Sequence, residues 1–367
     1  MDKQERVIER FLEYVQIDSP TREEADFKER LKKDLEELGL EVYEDNAGEV
    51  VGSNSGNLIA KLKGTGDKTI LFSSHMDTVS PGRGIEPVIN DGVITSKGDT
   101  ILAGDDKAGV AAIMEMLTVI KEENLDHHSV EVAFTISEEG GLFGSKNLDY
   151  SKINADFGIV LDSGGEAGHT IVQGPAQTKI DVVFKGKSAH AGVAPQDGVS
   201  AIQIAAEAIS NMNLLRIDEE TTANIGSIEG GGPTNIVTDT VTIKAEARSL
   251  VDEKLEKQVE HMVKCVKDAQ GKYGIEAEID ITEAYKPFKI ELDSEPVKAV
   301  EEACEKLGFK FNPAKSGGGS DTNNFNLNGI PSVNLGIGMT KAHSTDEFIK
   351  VQDIINGAKL ITEIVKA

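Results

Sequence analysis

The chain has 367 residues, too many for one small core, and its 39% apolar and 28% charged content fits a soluble globular protein of two domains. Its 63 acidic against 38 basic side chains leave a formal net charge of −25, which argues against nucleic acid or an anionic membrane surface as partner and permits attraction of cations. Only two cysteines occur, Cys265 and Cys304, without ligand-like spacing, so a reduced, cytoplasmic setting is expected.

The opening, MDKQERVIERF, has the period of an amphipathic helix and no apolar signal core. The longest apolar-rich stretch, Gly109 to Ile120, contains Glu115 and is too short to span a bilayer. Helices are expected over 2–16 and 22–39, the second opened by a capping box of Thr21 and Glu24 after Pro20. Strands follow at 40–45, 57–63 and 68–74, the last running into Ser73-Ser74-His75-Met76-Asp77. A loop rich in Gly, Pro and Asp covers 80–104, and helical period returns over 107–121. Val130 to Ile136 is a strand by its β-branched and apolar content, and Glu138-Glu139-Gly140-Gly141 follows it. After a helix-like 143–150, another buried strand, Phe157 to Leu161, runs into Asp162-Ser163-Gly164-Gly165. Strands alternating with helices predict an α/β unit with a mostly parallel sheet between helical layers.

The texture changes near 176. Lys179 to Phe184 is a strand with a less continuous apolar run, followed by a helix at 198–211, strands at 223–229 and 235–249, a helix at 253–272 and a strand at 275–283. These make a compact α+β module of ferredoxin-like pattern. After Pro287 come a helix at 294–307, the Gly317-Gly318-Gly319-Ser320-Asp321 loop, a strand at 331–335 and a helix at 350–365. The expected division is therefore one α/β domain from 1–175 and 285–367, interrupted by an inserted domain, 176–284.

In open α/β sheets, ligands bind beyond the carboxyl ends of the strands. Here those ends and the loops beside them carry His75 and Asp77, Asp105 and Asp106, Glu138 and Glu139, and Asp162, with His343 in a late loop. Taken singly, each has an ordinary explanation. Asp105-Asp106 could cap a helix, Asp162-Ser163-Gly164 could be a turn, and Glu138-Glu139 could be a solvated acidic corner. Their coincidence suits a zinc-like site of mixed nitrogen and oxygen ligands. Two adjacent glutamates at the mouth of a buried strand repel each other, and a cation or shared proton would relieve them. Gly186-Lys187-Ser188 is not a phosphate loop, because position 181 is Asp where that motif needs Gly, and no G-x-S-x-G elbow occurs.

SSHMDTV (73–79), GDDKAG (104–109), SEEGG (137–141), LDSGG (161–165), GKSAHAG (186–192) and KAHSTDE (341–347), in this order, resemble the dinuclear zinc exopeptidases and deacylases. That family includes peptidase T, acetylornithine deacetylase, succinyl-diaminopimelate desuccinylase and the aminoacylases. The resemblance covers nearly the whole chain and looks strongest to the peptidase T type, tripeptide aminopeptidases. It implies two divalent ions, Zn2+ by expectation and Co2+ or Mn2+ as alternatives. His75 and Asp162 would hold one ion, Glu139 and His343 the other, and Asp105 would bridge them. Asp77 would accept the second ring N–H of His75, and Glu138 would be general base. His190, on an inserted lid or dimerisation domain, would stabilise the oxyanion, and Asn235 and Arg248 would hold the polar end of the substrate. An Asp at position 162, where carboxypeptidases and deacylases of the family tend to have Glu, implies removal of the N-terminal residue of a short peptide. The rival readings are an N-acyl amino acid deacylase or carboxypeptidase of the same family, and a metal-binding relative without catalysis.

Overall fold

The computed structural model describes residues 3–367. The chain divides into two compact units, one made of the chain up to Gln173 with Phe288–Ser316 and Ser320–Ala367, the other of Gly174–Pro287 with Gly317–Gly319.

The larger unit is a mixed α/β layer structure. Its main sheet runs in the order Glu41–Glu44, Leu58–Leu62, Ser129–Thr135, Thr69–His75, Phe157–Ser163, Ser332–Gly336, His169–Gly174, Phe288–Lys289, with Asn312–Lys315 pairing alongside His169–Gly174. The central pairings, Thr69–His75 with Ser129–Thr135 and Phe157–Ser163, and the latter with Ser332–Gly336, are parallel. Side chains alternate between the two faces of a strand. Ile70 and Phe72, Val132 and Phe134, Ile159 and Leu161 therefore enter one apolar core. Leu71, Ala133 and Val160, between them, enter a second with Phe325 and Ile330. Both faces being covered, the strands read as continuous apolar runs rather than alternating ones.

On the first face lies the helix Gly104–Glu123, buried from Gly104 through Ile120, with Lys3–Val15, Glu295–Leu307 and Val351–Ile364 in the same core. The loop expected over 80–104 contains a hairpin, Pro87–Asn90 and Val93–Ser96, extended by Phe348–Lys350 into a three-stranded sheet. The turn between the hairpin strands is Asp91-Gly92, both at positive φ, a strong hairpin signal inside a stretch otherwise poor in alternation. The helix Asp321–Leu327, also unexpected, carries a capping box of Ser320 and Asn323. The capping box expected at Thr21 and Glu24 does not form: the helix Ala25–Glu37 has no side-chain cap at its start.

The smaller unit runs strand Ala176–Lys185, helix Ala201–Asn211, strands Thr221–Gly230 and Thr240–Ser249, helix Asp252–Tyr273, strand Ala277–Tyr285. With the short Leu215–Arg216 these form an antiparallel sheet in the order Leu215–Arg216, Thr221–Gly230, Thr240–Ser249, Ala176–Lys185, Ala277–Tyr285. The β-α-β-β-α-β succession is ferredoxin-like. Ile180, Val182 and Phe184 pack on one face with the helices, through Ile204, Ala208, Met262 and Val266, while Lys179, Asp181 and Lys185 are exposed. Cys265 and Cys304 are both free and buried. Among the described residues, no helix is long and apolar enough to cross a membrane.

Candidate metal centre

Five segments of the larger unit converge. His75 is the last residue of Thr69–His75, Asp162 is the last but one of Phe157–Ser163, and Glu138 and Glu139 follow Ser129–Thr135. Asp105 lies at the start of Gly104–Glu123, where the backbone leaves helical geometry (φ −83°, ψ 102°). His343 is in the loop after Ser332–Gly336.

Asp105 stands in the middle. One carboxylate oxygen, Oδ1, lies 3.0 Å from His75 Nε2, and the other, Oδ2, lies 3.1 Å from His343 Nε2. His343 Nε2 is also 2.8 Å from Glu139 Oε1, and His75 Nε2 is 3.9 Å from Asp162 Oδ1. Three groups of donors result, each with all its donor atoms within 4.8 Å of one another: His75–Glu138–Glu139, and the two that share Asp105, His75–Asp105–Asp162 and Asp105–Glu139–His343. Atoms about 2.0 Å from a single tetrahedral ion lie about 3.3 Å apart, so the latter two sets fit a pair of zinc-sized cations sharing Asp105. Imidazole with carboxylate is also the right chemistry for such ions.

The electrostatics point the same way. Burial, then the nearby Asp162 and Glu139, push the Glu138 carboxyl well above the usual range, and burial with Asp105 does the same to Asp162. Burial also raises Glu139. Hydrogen bonds to Asp105 and Glu139 lift His343 to about 10. Burial would lower His75, but Asp105 and Asp77 beside it hold it well above its ordinary value. Burial works against ionised Asp105 as well, and the two histidines nevertheless keep it below the usual carboxylate range. So many acids gathered with two imidazoles hold more proton-binding capacity than the site can leave charged. Divalent cations would take over the compensation.

Buried carboxylates and amides from elsewhere in the chain hold these residues in place. Asp77 accepts the backbone N–H of Glu138 (2.8 Å) and of Glu139 (3.2 Å), and the Thr21 hydroxyl (2.8 Å). Its carboxylate is 3.5 Å from His75 Nδ1, whereas its own backbone carbonyl is 2.8 Å away, so the ring nitrogen is held mainly by the main chain. That shifts the contact expected for Asp77. Its lone pairs are committed to the turn that presents the two glutamates. Glu24 accepts from Ser137 N (2.9 Å) and Oγ (3.0 Å) at the head of the same turn, where Ser137 has φ 50°. Thr21 and Glu24 thus serve the site instead of capping their helix. Asn334, a polar residue in a buried strand, receives the Asp162 N–H (2.9 Å) and donates to the Asp162 carbonyl (2.7 Å). Ser74 and the His75 amide bind Asp106, next to Asp105. Glu347 accepts three backbone N–H groups around Asp105. None of these roles for Glu24, Asn334 or Glu347 was legible from spacing. The available signals were a polar side chain within the apolar 331–335 run and a glutamate four residues after His343.

The residues expected from the inserted domain all lie in the smaller unit. His190 and Ile236 form an isolated antiparallel bridge, with Ala191 N–H donating to Asn235 O and Val237 N–H to Ala189 O, both 2.9 Å. The His190 and Asn235 segments are thereby side by side, both residues exposed. The Gly192 and Val193 N–H groups each approach His190 Nδ1 at 3.2 Å, so Nδ1 is the acceptor and a neutral ring carries its proton on Nε2. Arg248, half-buried, makes a two-point ion pair with Glu246 (2.8 and 3.1 Å).

Residues 71–367 match the family model described as peptidase family M20/M25/M40. The chain is 46% identical to the protein YqjE of Bacillus subtilis (strain 168), over 100% of this chain and 99% of that one. A solved aminopeptidase PepT from Bacillus cereus ATCC 10987 is 47% identical, with TM-score 0.89, covering 99% of this chain and 98% of its own. A solved tripeptidase from Staphylococcus aureus subsp. aureus Mu50 is 42% identical, with TM-score 0.95 and the same coverage.

Proposed function

Since this chain belongs to peptidase family M20/M25/M40, and is thus a hydrolase, we propose that it is a dinuclear metallo-aminopeptidase that removes the N-terminal residue of short peptides, tripeptides above all. The observation that carries the metal reading is the shared position of Asp105, whose two oxygens each face a different histidine. His75 and Asp162 would hold one divalent ion, Glu139 and His343 the other, and Asp105 both. Zn2+ is the expected ion, with Co2+ or Mn2+ as alternatives. When bound, such a pair polarises the scissile carbonyl and makes water acidic enough to attack at neutral pH.

The chain's own groups do the rest. Glu138 is in neither donor set that includes Asp105, and its buried carboxyl holds a proton readily. It takes the proton of the attacking water and passes it to the leaving amine. Glu139 faces His343, so the neighbouring glutamates divide the work of base and ligand. His190 donates Nε2–H to the carbonyl oxygen as charge develops there. Closure of the smaller unit as a lid would deliver His190, and the same unit is the proposed dimerisation element. Asn235, in the segment paired with that of His190, would bind the polar end of the substrate.

Specificity for the N-terminus rests on Asp162, on the carboxylate-rich wall around it and on the chain's net charge of −25. A free α-ammonium group can ion-pair there instead of being buried alone. That the two solved relatives are an aminopeptidase and a tripeptidase supports the same reading. Arg248, the candidate receptor for a substrate carboxylate in the deacylase or carboxypeptidase alternative, already pairs one edge of its guanidinium, Nε and Nη2, with Glu246. The test is a tripeptide of three different residues, incubated with metal-loaded protein and followed by mass spectrometry. Release of the N-terminal residue first is expected. Release of the C-terminal residue first, or faster cleavage of N-acetyl amino acids, overturns the assignment. A cytoplasmic location is proposed from the cysteine usage.

A further inference from the structure

We propose that Glu347 is a positioning residue, a strut that ties the 340–348 loop to the 102–105 loop and so sets the spacing between His343 and Asp105. It deepens, and rests on, the two-metal reading above. Glu347 is buried, and its Oε2 accepts Leu102 N–H (2.8 Å) and Ala103 N–H (2.9 Å) while Oε1 accepts Asp105 N–H (3.0 Å). Carboxylate bonds to backbone N–H groups are charge-assisted and directional, so both oxygens fix the loop in one orientation. The other end of the strut is equally fixed. The Glu347 N–H closes a turn on Ser344 O (3.1 Å), and Thr340 and Phe348 exchange both backbone bonds at 3.0 Å. His343 lies inside the loop that the Thr340–Phe348 pair closes, immediately before the Ser344–Glu347 turn.

Backbone conformation gives an independent reason for a strut. Ala103 (φ 62°) and His343 (φ 64°) are both in the left-handed region, which residues with a Cβ rarely adopt. Such conformations persist only where the surroundings over-determine them, and they gather at functional sites. Glu347 binds the Ala103 amide directly and belongs to the Thr340–Phe348 loop that holds His343. A Cβ at Gly104 would lie 3.0 Å from Glu347 Oε1, so the carboxylate fits closely against the main chain. Capping the helix Gly104–Glu123 would need only a local side chain. This cap comes from 242 residues away, out of the loop that carries a ligand candidate.

The experiment is a Zn2+ titration of the full-length, metal-free protein against a chromophoric chelator, with His343→Ala used to identify which binding step belongs to the His343 set. Glu347→Gln keeps the shape but turns an NH2 toward a backbone N–H. Its affinity should fall at least tenfold at the His343 set and less than threefold at the His75–Asp162 set. Adding Ala103→Gly, which adopts a positive φ without strain, should recover part of the loss. Unchanged affinities, equal loss at both sets, or no recovery overturns the strut. Wild-type protein binding fewer than two zinc ions overturns the two-metal reading instead. If Glu347→Gln does not fold, amide hydrogen exchange of the metal-free wild type decides. Leu102, Ala103 and Asp105 should be as protected as in the zinc-loaded protein. Exchange at the rate of an open loop would mean that the metal, not Glu347, orders the segment.

Discussion

The two units manage their polar residues in opposite ways. In the larger one, Thr69–His75 is buried along nearly its whole length, and the polar groups at its end have no water to fall back on. They satisfy one another, through Asp77, Glu24, Asn334 and Glu347, in a lattice that runs between distant segments. In the smaller one, Ala176–Lys185 alternates between buried and exposed positions after Thr178, and the sheet turns one side to solvent. There His190 and Asn235 are exposed and bonded within their own corner. A buried parallel sheet thus forces its catalytic candidates into a coupled cluster, while a one-sided antiparallel sheet leaves them independent. Substitutions in the cluster should therefore disturb metal content or the base, and substitutions in the smaller unit should change turnover alone.

The sharpest way to break that contrast is inside the Glu138–Glu139 pair. Glu138→Gln is expected to keep about two metal ions per chain and lose roughly two to four decades in rate. Glu139→Gln should lose metal, as elemental analysis would record. Interchanged phenotypes would reverse the assignment of base and ligand.

His190→Ala comes next. Removing one oxyanion donor typically lowers kcat by about 10²–10³, and here metal content should not change. Near-normal turnover would take His190 out of the mechanism, and a fall in bound metal would make the smaller unit part of the coupled cluster after all.

The carboxylate-rich wall can be probed from the substrate side. Acetylating the tripeptide amine removes one charged contact, expected to be worth roughly 1.5–3 kcal/mol, or about ten- to 150-fold in kcat/KM. Equal kcat/KM for the free and acetylated peptides would show that the wall does not read the ammonium group.

The smallest expected effect is on stability. Glu24→Gln leaves at least one of the Ser137, Arg22 and Ser53 donors without its carboxylate acceptor. An unmade bond of this kind costs about 1–3 kcal/mol. Thermal unfolding should shift down by several degrees, at about 2–4 °C per kcal/mol for a unit of this size. No shift would mean that Glu24 is a bystander to the turn.

Much of this architecture was legible beforehand. Continuous apolar runs with Asp, Glu or His just after them identified the parallel strands and the end of the sheet where the metal-capable residues gather, because burial on both faces leaves only strand ends for polar residues. Hydrophobic period likewise marked the α+β texture from Lys179 onward. The hairpin Pro87–Asn90 and Val93–Ser96 escaped because its strands are short and partly exposed, so its Asp91-Gly92 turn lacked flanking alternation.

What the sequence by itself determined is the list of metal-capable residues and the order in which the strands deliver them. The tertiary structure alone decided which neighbours hold them. Thr21 and Glu24 had a local alternative, the capping box, and left it for Asp77 and Ser137, 56 and 113 residues away. Asn334 and Glu347 likewise bond across 172 and 242 residues. Local propensity is set by interactions within a few residues. A buried carboxylate, by contrast, must find every donor it can reach once the chain has closed around it, and which donors those are depends on topology.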